Sequence, residues 1–241
     1  MKQDKKAEKF FFDNYPHRYE VLTGQGYERI LAEFAKLINP RRRERLLDLG
    51  CGSGALTGRL GRWSLELTGV DISIKNIIEA SGRISPAQFI AGDIERIPFQ
   101  NNTFDIIFYS GVLHHFPNMK EIIQEGIRVL KPGGRFFSYD PNQENPFMWI
   151  YRDKKSPFRS SRGVTSNEIL ISKDVLKRCL ESAGLRRISV KAISGVTYKF
   201  VAGTLVRKVL PLYNLVDKVL DCSFLKEKYG AFLIASGQKP L

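Results

Sequence analysis

Residues 46–54, which read LLDLGCGSG, constrain the fold more than any other stretch of the chain. Their apolar start is too short for a helix, so it predicts a buried parallel strand that ends near Leu49. Glycines alternate after that strand, and a glycine backbone can turn with positive φ and carries no side chain. The loop therefore leaves room for a ligand to lie directly on its backbone.

The residues around this loop separate two classes of cofactor site. A dinucleotide fingerprint, G-x-G-x-x-G, needs its third glycine where this chain has Ala55, and Asp48 precedes the first glycine. A second apolar strand ends at Asp71, about twenty residues further on, where an acidic residue is typical of ribose recognition. A third apolar run, 87–91, leads to Asp93. The pattern departs from a nicotinamide site but keeps a ribose-binding carboxylate.

Five motifs follow one another between residues 44 and 140: LDLGCGSG, GVDIS, AGDIERIPF, FDIIFYSGVLHHF and RVLKPGG. Taken in order they resemble the class I S-adenosylmethionine-dependent methyltransferases, and among these the small-molecule methyltransferase domains. The resemblance implies an α/β fold with a Rossmann-like, doubly wound seven-stranded sheet. Its implied strand order is 3-2-1-4-5-7-6, with the last strand antiparallel and helical insertions.

The same resemblance implies how S-adenosylmethionine is bound, with S-adenosylhomocysteine as the product. Asp48 is expected near the methionine amino group, Asp71 on the ribose hydroxyls and Asp93 on the adenine amino group. Further contacts are expected from the backbone of Gly50, Cys51 and Gly52, from Ile72, from the N–H of Ile94, from Ser110 and Gly111, and from Tyr15 and Tyr19. The alternatives are turn or helix caps for Asp71 and Asp93, and surface anchoring for the two tyrosines.

Two histidines follow the fourth predicted strand, at the sheet edge where open α/β folds bind ligands. His115 or His114 is the candidate base if the methyl acceptor is a hydroxyl, because imidazole can accept a proton near neutral pH. A structural hydrogen-bonding role is the alternative. Asp140 and Asn142, after the fifth strand, are expected either to bind substrate or to hold the turn at Pro141.

No metal site is expected, because the three cysteines lack paired ligand spacing. Their odd number also argues against a disulfide framework and for a reducing cytoplasm, and the N-terminus lacks the features of a secretory signal.

The chain is expected to form a single domain over residues 1–241. Its parts would be an N-terminal helical cap, a cofactor-binding core and two substrate-side insertions, at residues 1–40, 44–140, 141–170 and 197–228 respectively. Within the first insertion, 141–162 reads as a loop whose residues 147–151 form one aromatic cluster. In the second, Pro211 is predicted to divide 199–221 into two short amphipathic helices. These helices could be a lid, a membrane or partner surface, or part of the core.

The net charge of +13 is unevenly distributed. Residues 1–150 carry 20 basic and 18 acidic side chains, whereas residues 151–241 carry 18 and 7. The basic part could attract anionic substrates, lipid headgroups or nucleic acid, or it could be a solvated surface.

We therefore expect a methyltransferase for a small molecule or an anionic or lipid-linked metabolite, with transfer to oxygen first. The protein would be cytoplasmic, with peripheral contact to an anionic membrane through 199–221. An RNA or protein methyltransferase and a non-catalytic cofactor-binding module are the alternatives, and nucleic acid is the less favoured partner. The sequence does not specify an oligomeric state.

Overall fold

The computed structural model describes residues 4–14, 22–159, 165–199 and 204–241. Helices and strands alternate through most of this part of the chain. The helices are α1 Lys5–Asn14, α2 Gly24–Ile38, α3 Ala55–Leu60, α4 Ile74–Arg83, α5 Met119–Val129, α6 Pro146–Arg152, α7 Lys173–Ser182, α8 Thr204–Asp221 and α9 Lys226–Tyr229. The strands are β1 Arg45–Leu49, β2 Glu66–Asp71, β3 Gln88–Ala91, β4 Phe104–Ser110, β5 Leu130–Pro141, β6 Arg186–Ile193 and β7 Phe232–Gln238.

The seven strands form one sheet in the order β3-β2-β1-β4-β5-β7-β6, which confirms the expected topology. All neighbours pair in parallel except β7, which is antiparallel to both β5 and β6. Leu49 at the end of β1 lies opposite Val70 and Tyr109 on the two flanking strands. The loops that follow β1, β2 and β4 therefore emerge at one edge of the sheet, where the expected site residues lie.

Helices cover both faces of the sheet, as the continuous apolar strands predict. Leu46 and Leu47 are both fully buried but belong to different clusters. Leu47 packs on the face covered by α5 and α7, and Leu46 packs on the face covered by α2. Thr23 fixes the start of α2 by accepting a hydrogen bond from the N–H of Gly26. Two separate apolar layers thus hold the strand that leads into the glycine loop.

Residues 131–134, which read KPGG, are part of β5, which begins at Leu130. Gly133 has φ +73° there, and the pairing of β5 with β4 shifts register between Phe104 and Ile106. A strand can continue through such a bulge because neighbouring ladder bonds on either side remain intact. The Pro-Gly-Gly sequence therefore interrupts the pairing of β5 with β4 without ending the strand.

The first insertion also differs from the loop that was expected. Asn145 accepts a hydrogen bond from the N–H of Met148, and Pro146 occupies the first turn of the short helix α6. Consecutive helical residues point in different directions, so residues 147–151 do not form one aromatic cluster. Met148 is buried, whereas Phe147, Trp149 and Ile150 are 40%, 38% and 43% exposed.

The prediction that Pro211 divides the second insertion is wrong, because α8 runs from Thr204 to Asp221 with Pro211 inside it. Pro211 lies on the exposed side of the helix, where water can satisfy the backbone group that loses its bond. Burial of Tyr213 and Asp217 on the opposite side holds the helix to the domain. Among the described residues, no helix combines the length and the apolar character needed to cross a bilayer.

Candidate active site

The loop after β1 uses its three glycines for different reasons. Gly50, Gly52 and Gly54 all have positive φ, at 71°, 53° and 80°. A Cβ on Gly50 would lie 2.7 Å from Val112, and one on Gly54 would lie 2.3 Å from Ile84. A Cβ on Gly52 would meet nothing within 4 Å. Packing therefore requires glycine at position 50, and a side chain at position 54 would displace the end of Ile84, while the middle glycine leaves open space beside its backbone.

Asp71 ties this loop to the start of α4. Its carboxylate accepts hydrogen bonds from the N–H groups of Gly52 and Ser73, both at 2.9 Å, and from Asn76 Nδ2 at 3.4 Å. Burial raises the pKa of Asp71, while these donors oppose the rise. The side chain thus lies beside the open backbone of the glycine loop and also acts as the local cap that was its alternative role. Ile72 is half-buried directly after it.

Asp48 is fully buried and joins β1 to α3 and β4. Thr57 Oγ1 donates to it at 2.6 Å and Ser110 Oγ donates at 2.5 Å. Burial raises the pKa of Asp48 to about 7, against the effect of these two hydroxyls. Both carboxylate oxygens are engaged inside the protein, so Asp48 supports Ser110 in this structure. Cys51 is buried as well, which leaves its backbone as the part that can face a ligand.

Helix α1 lies over the ends of β2 and β3. Lys5 Nζ is 2.6 Å from Asp93 and also contacts Glu95. Asp13 accepts a hydrogen bond from Ser73 Oγ at 2.7 Å. The carboxylate expected to bind the adenine amino group is therefore paired with a lysine from the N-terminal helix, and a bound adenine would have to share or replace that contact.

Four further residues were expected to contact the cofactor, namely Ile94, Gly111, Tyr15 and Tyr19. Ile94 has its side chain in the core, which leaves its backbone as the part that can contact a ligand. Gly111 follows Ser110 at the end of β4 with φ +62°. Tyr15 and Tyr19 lie outside the described residues.

His114 forms a buried pair with Asp140. The backbone N–H and Nδ1 of His114 lie 3.1 Å and 2.9 Å from the same oxygen, Oδ1 of Asp140. Burial, together with the nearby His115 and Arg152, holds the pKa of His114 well below its usual value. Burial raises the pKa of Asp140 to about 8. The pair comes from the turn Leu113–His115 and from the end of β5, and so lies at the same sheet edge as the glycine loop.

His115 has a different environment, built largely from α1. Its Nδ1 lies 3.3 Å from Glu8 Oε2 and 3.3 Å from Thr165 Oγ1. Burial alone would lower the pKa of His115, but the hydrogen bond to Glu8 and the charge of Glu168 raise it above its usual value. Glu8, 2% exposed, also accepts from Thr165 Oγ1 at 2.5 Å and Asn167 Nδ2 at 2.7 Å. His115 therefore anchors the N-terminal helix.

Glu168 completes this buried cluster. Its two oxygens accept from the N–H of Thr165 at 3.0 Å and from Arg152 Nη1 at 2.5 Å. His114, His115 and Glu168 each offer a ligand atom within 4.8 Å of the others, a spacing that a metal ion can use. Both oxygens of Glu168 are already hydrogen-bonded, however, and the guanidinium of Arg152 opposes a second cation there. The arrangement is better suited to holding protons than a metal.

Asn142 lies away from this cluster. Its Nδ2 donates to the carbonyls of Lys228 and Gly230, both at 2.8 Å, and its Oδ1 accepts from the N–H of Glu144 at 3.1 Å. The amide thus holds the segment before β7 and the turn after β5, and it is fully buried. Of the two candidate substrate residues, the structure brings only Asp140 to the histidines.

Sequence reasoning did not find Glu8, Arg152, Thr165 or Glu168. They come from α1, α6 and the segment before α7, and none belongs to one of the five motifs. No spacing pattern connects residues so far apart. The only available signal is the polar run Thr165–Glu168 within a basic and aromatic region.

Comparison with known proteins agrees with this geometry. The family model described as "Methyltransferase domain" matches residues 47–138. The sterol 4-C-methyltransferase strm-1 of Caenorhabditis elegans is 31% identical over 64% of this chain and 48% of its own length. The 27-O-demethylrifamycin SV methyltransferase of Amycolatopsis mediterranei is 28% identical over 77% of this chain and 71% of its own length. The chain thus spans about half the length of the sterol enzyme.

A solved structure shares the whole fold. The crystal structure of an S-adenosylmethionine-dependent methyltransferase from Thermotoga maritima superposes with a TM-score of 0.64 at 17% identity, over 97% of this chain and 98% of that one. At this identity the likeness concerns the fold alone. The family model identifies residues 47–138 as a methyltransferase domain, in agreement with the resemblance of the sequence motifs to the class I S-adenosylmethionine-dependent methyltransferases.

Proposed function

We propose that this chain transfers a methyl group from S-adenosylmethionine to a hydroxyl-bearing small molecule, with oxygen as the first candidate acceptor. The observation that carries the proposal is the buried pair of His114 and Asp140. Asp140 follows Tyr139, which pairs across the sheet with Ser110 at the end of β4. This position, at the edge of the sheet where the glycine loop lies, supports His114 as the base.

The hydrogen bonds of Asp140 indicate which nitrogen of His114 can act. Oδ1 already accepts from the backbone N–H of His114, so Nδ1–H is the natural second donor to it. This tautomer leaves the lone pair of His114 on Nε2. The lowered pKa keeps His114 neutral at pH 7, so Nε2 can accept a proton from a hydroxyl.

His115 is the weaker candidate for the base. Its raised pKa and its contact with Glu8 favour the protonated ring, which has no lone pair to offer. We assign it the role of anchoring α1, and in that position α1 would exclude water from the reaction.

We assign cofactor binding to residues at this same edge of the sheet. Gly50, Cys51 and Gly52 would contact the cofactor through the backbone, with Asp71 on the ribose and Asp93 on the adenine. When bound, S-adenosylmethionine supplies an electrophilic methyl carbon, so the protein's task is to orient the acceptor and receive its proton. Orientation alone can contribute ~7–11 kcal/mol to such a reaction, and a positioned base about 10²–10⁴-fold in rate.

The names of the relatives support a small acceptor but disagree on the atom. One is named for transfer to a sterol carbon and the other for transfer to a rifamycin oxygen. Carbon transfer to an enol or phenol also begins with loss of a hydroxyl proton, so the same base serves both outcomes. The acceptor class is therefore better defined by its acidic hydroxyl than by the atom methylated.

The test combines cofactor binding with transfer. Calorimetry should show binding of S-adenosylmethionine and S-adenosylhomocysteine, and mass spectrometry should detect a methylated product among phenol, quinol, sterol and sugar acceptors. His114→Gln should lower turnover by about 10²-fold or more while leaving cofactor affinity within a few-fold. His115→Gln is the matched control, and its effect on kcat should be smaller.

Three results would contradict the proposal. Absence of cofactor binding removes the function altogether. Cofactor binding without transfer to any acceptor indicates a non-catalytic module. Methylation of RNA or protein, but of no small molecule, reassigns the acceptor.

A further inference from the structure

Helix α8 is anchored to the domain along one side. Leu210 packs on the core, Tyr213 is 8% exposed and Asp217 is 1% exposed. Oδ2 of Asp217 accepts from the N–H groups of Gly195 and Val196 at 2.7 Å and 3.0 Å. The helix is therefore fixed in one orientation about its axis, and its opposite side is fixed toward solvent.

That opposite side is apolar, whereas an anchored surface helix usually presents polar residues outward. Leu212, Leu215 and Val219 are 61%, 59% and 64% exposed. Their spacing of three and four residues places them in one stripe along the helix. Core packing does not account for this stripe, since the described part of α8 contacts the core with its other side.

Other exposed apolar side chains lie on α6 and in the short segments that follow α6 and α8. The ring centroid of Phe147 on α6 lies 5.1 Å from that of Tyr213, so α6 packs beside the anchored side of α8. Nine of the fourteen exposed large apolar side chains among the described residues lie on these two helices or in those segments. We call the nine the α6–α8 face: Phe147, Trp149, Ile150, Phe158, Leu212, Leu215, Val219, Phe224 and Leu225. Exposed apolar residues concentrated in this way indicate an interaction site.

The charges around the face are basic. Lys208 and Lys218 are exposed on α8, and Lys154 and Lys155 are exposed beside Phe158. Residues 151–241 carry 18 basic and 7 acidic side chains in all. Lysines that flank an exposed apolar stripe are the signature of a helix that lies in the interface of an anionic bilayer.

We propose that the α6–α8 face docks on the surface of an anionic lipid bilayer, with α8 lying in the headgroup plane. Two other occupants fit less well. A second copy of the chain would bring basic residues against basic residues across a twofold contact. Nucleic acid would pair with the lysines but would leave the exposed leucine and valine side chains without a partner. An anionic bilayer can interact with both the lysines and the exposed apolar side chains.

Vesicle co-sedimentation tests the proposal without methyl transfer, so its failure leaves the proposed function standing. The full chain should sediment with vesicles of phosphatidylcholine and phosphatidylglycerol but not with phosphatidylcholine alone. Leu215→Glu should weaken binding by at least about tenfold, because it places a charge in the apolar stripe. Ile78→Glu is the matched control, since Ile78 is 66% exposed on α4, away from the face.

A second variant keeps the test valid if Leu215→Glu fails to fold. Lys154→Glu combined with Lys155→Glu changes only exposed charges, and it should weaken binding and its salt dependence. The proposal is overturned if the wild-type chain stays in the supernatant with anionic vesicles, or if Ile78→Glu weakens binding as much as Leu215→Glu. It is also overturned if light scattering without lipid shows a dimer that Leu215→Glu dissociates.

Discussion

Alanine in place of Glu8 should release α1 from the sheet edge. The carboxylate is buried against three partners, accepting from Thr165 and Asn167 while lying 3.3 Å from Nδ1 of His115. Removing one member of a buried ion pair costs about 3–5 kcal/mol, because the other charge remains buried without compensation. The ten residues of α1 are also too few for a stable isolated helix, so a released α1 should unfold.

The size of the effect follows from that cost. If ~3 kcal/mol of docking free energy is lost, the opening equilibrium of α1 increases roughly a hundredfold or more. Part of that loss can be recovered with Glu8→Gln, which keeps the size of the side chain and a hydrogen-bonding oxygen but removes the charge. The order of α1 stability should therefore be wild type, then Glu8→Gln, then Glu8→Ala.

Hydrogen exchange read by mass spectrometry on a peptide that covers residues 4–14 measures this order directly. Lys9→Ala is the control, because Lys9 is exposed on the same helix and its change should leave protection close to that of wild type. Equal protection in wild type and Glu8→Ala, or an equal loss in Lys9→Ala, would refute the assignment of Glu8 as the anchor of α1.

The protection of α1 from hydrogen exchange should also depend on pH. The pKa of His115 is raised in the folded protein, so its contribution is complete below the unfolded value of 6.5 and is lost as pH rises through the raised value. The pKa of Glu8 is lowered, so its contribution is present above 4.5 and is lost as pH falls through the lowered value. Protection of α1, corrected for intrinsic exchange, should therefore be highest between these limits, and protection that never falls as pH rises above 6.5 would contradict the pairing. Gly52→Ala should cost only about 1–2 kcal/mol of stability in urea unfolding, through its positive φ, yet weaken cofactor binding in calorimetry. Gly54→Ala should cost ~1–3 kcal/mol more because its Cβ would lie 2.3 Å from Ile84, and equal stabilities of the two variants would contradict this reading.

Local features of this site could be predicted because their partners are close in sequence or occupy equivalent strand ends. Ser73 caps the helix after β2 by accepting a hydrogen bond from the backbone N–H of Asn76, only three residues further along the chain. Asp71 and Asp93 follow consecutive apolar strands in the sequence, and the parallel strands β2 and β3 end side by side. These expectations depend only on strand direction and on groups within a few residues.

The partners of the histidines could not be predicted in the same way. Thr165 and Glu8 are 157 positions apart and meet only because α1 folds across the sheet edge. Asp48 was expected near the cofactor, but its engagement by Thr57 and Ser110 depends on how α3 and β4 pack around it. The sequence also could not show which side of α8 faces solvent, because the periodicity of its apolar residues fits a core helix and a surface helix alike.

The sequence alone therefore determined the doubly wound fold, the strand order through its resemblance, and the edge at which the cofactor loop lies. Hydrophobic periodicity and glycine conformation act over a few residues, so they can be read along the chain. Only the tertiary structure decided that His114 pairs with Asp140, that His115 holds α1 through Glu8, and which side of α8 faces outward. Those choices depend on which distant surfaces pack together, and packing assigns each buried polar group its partner.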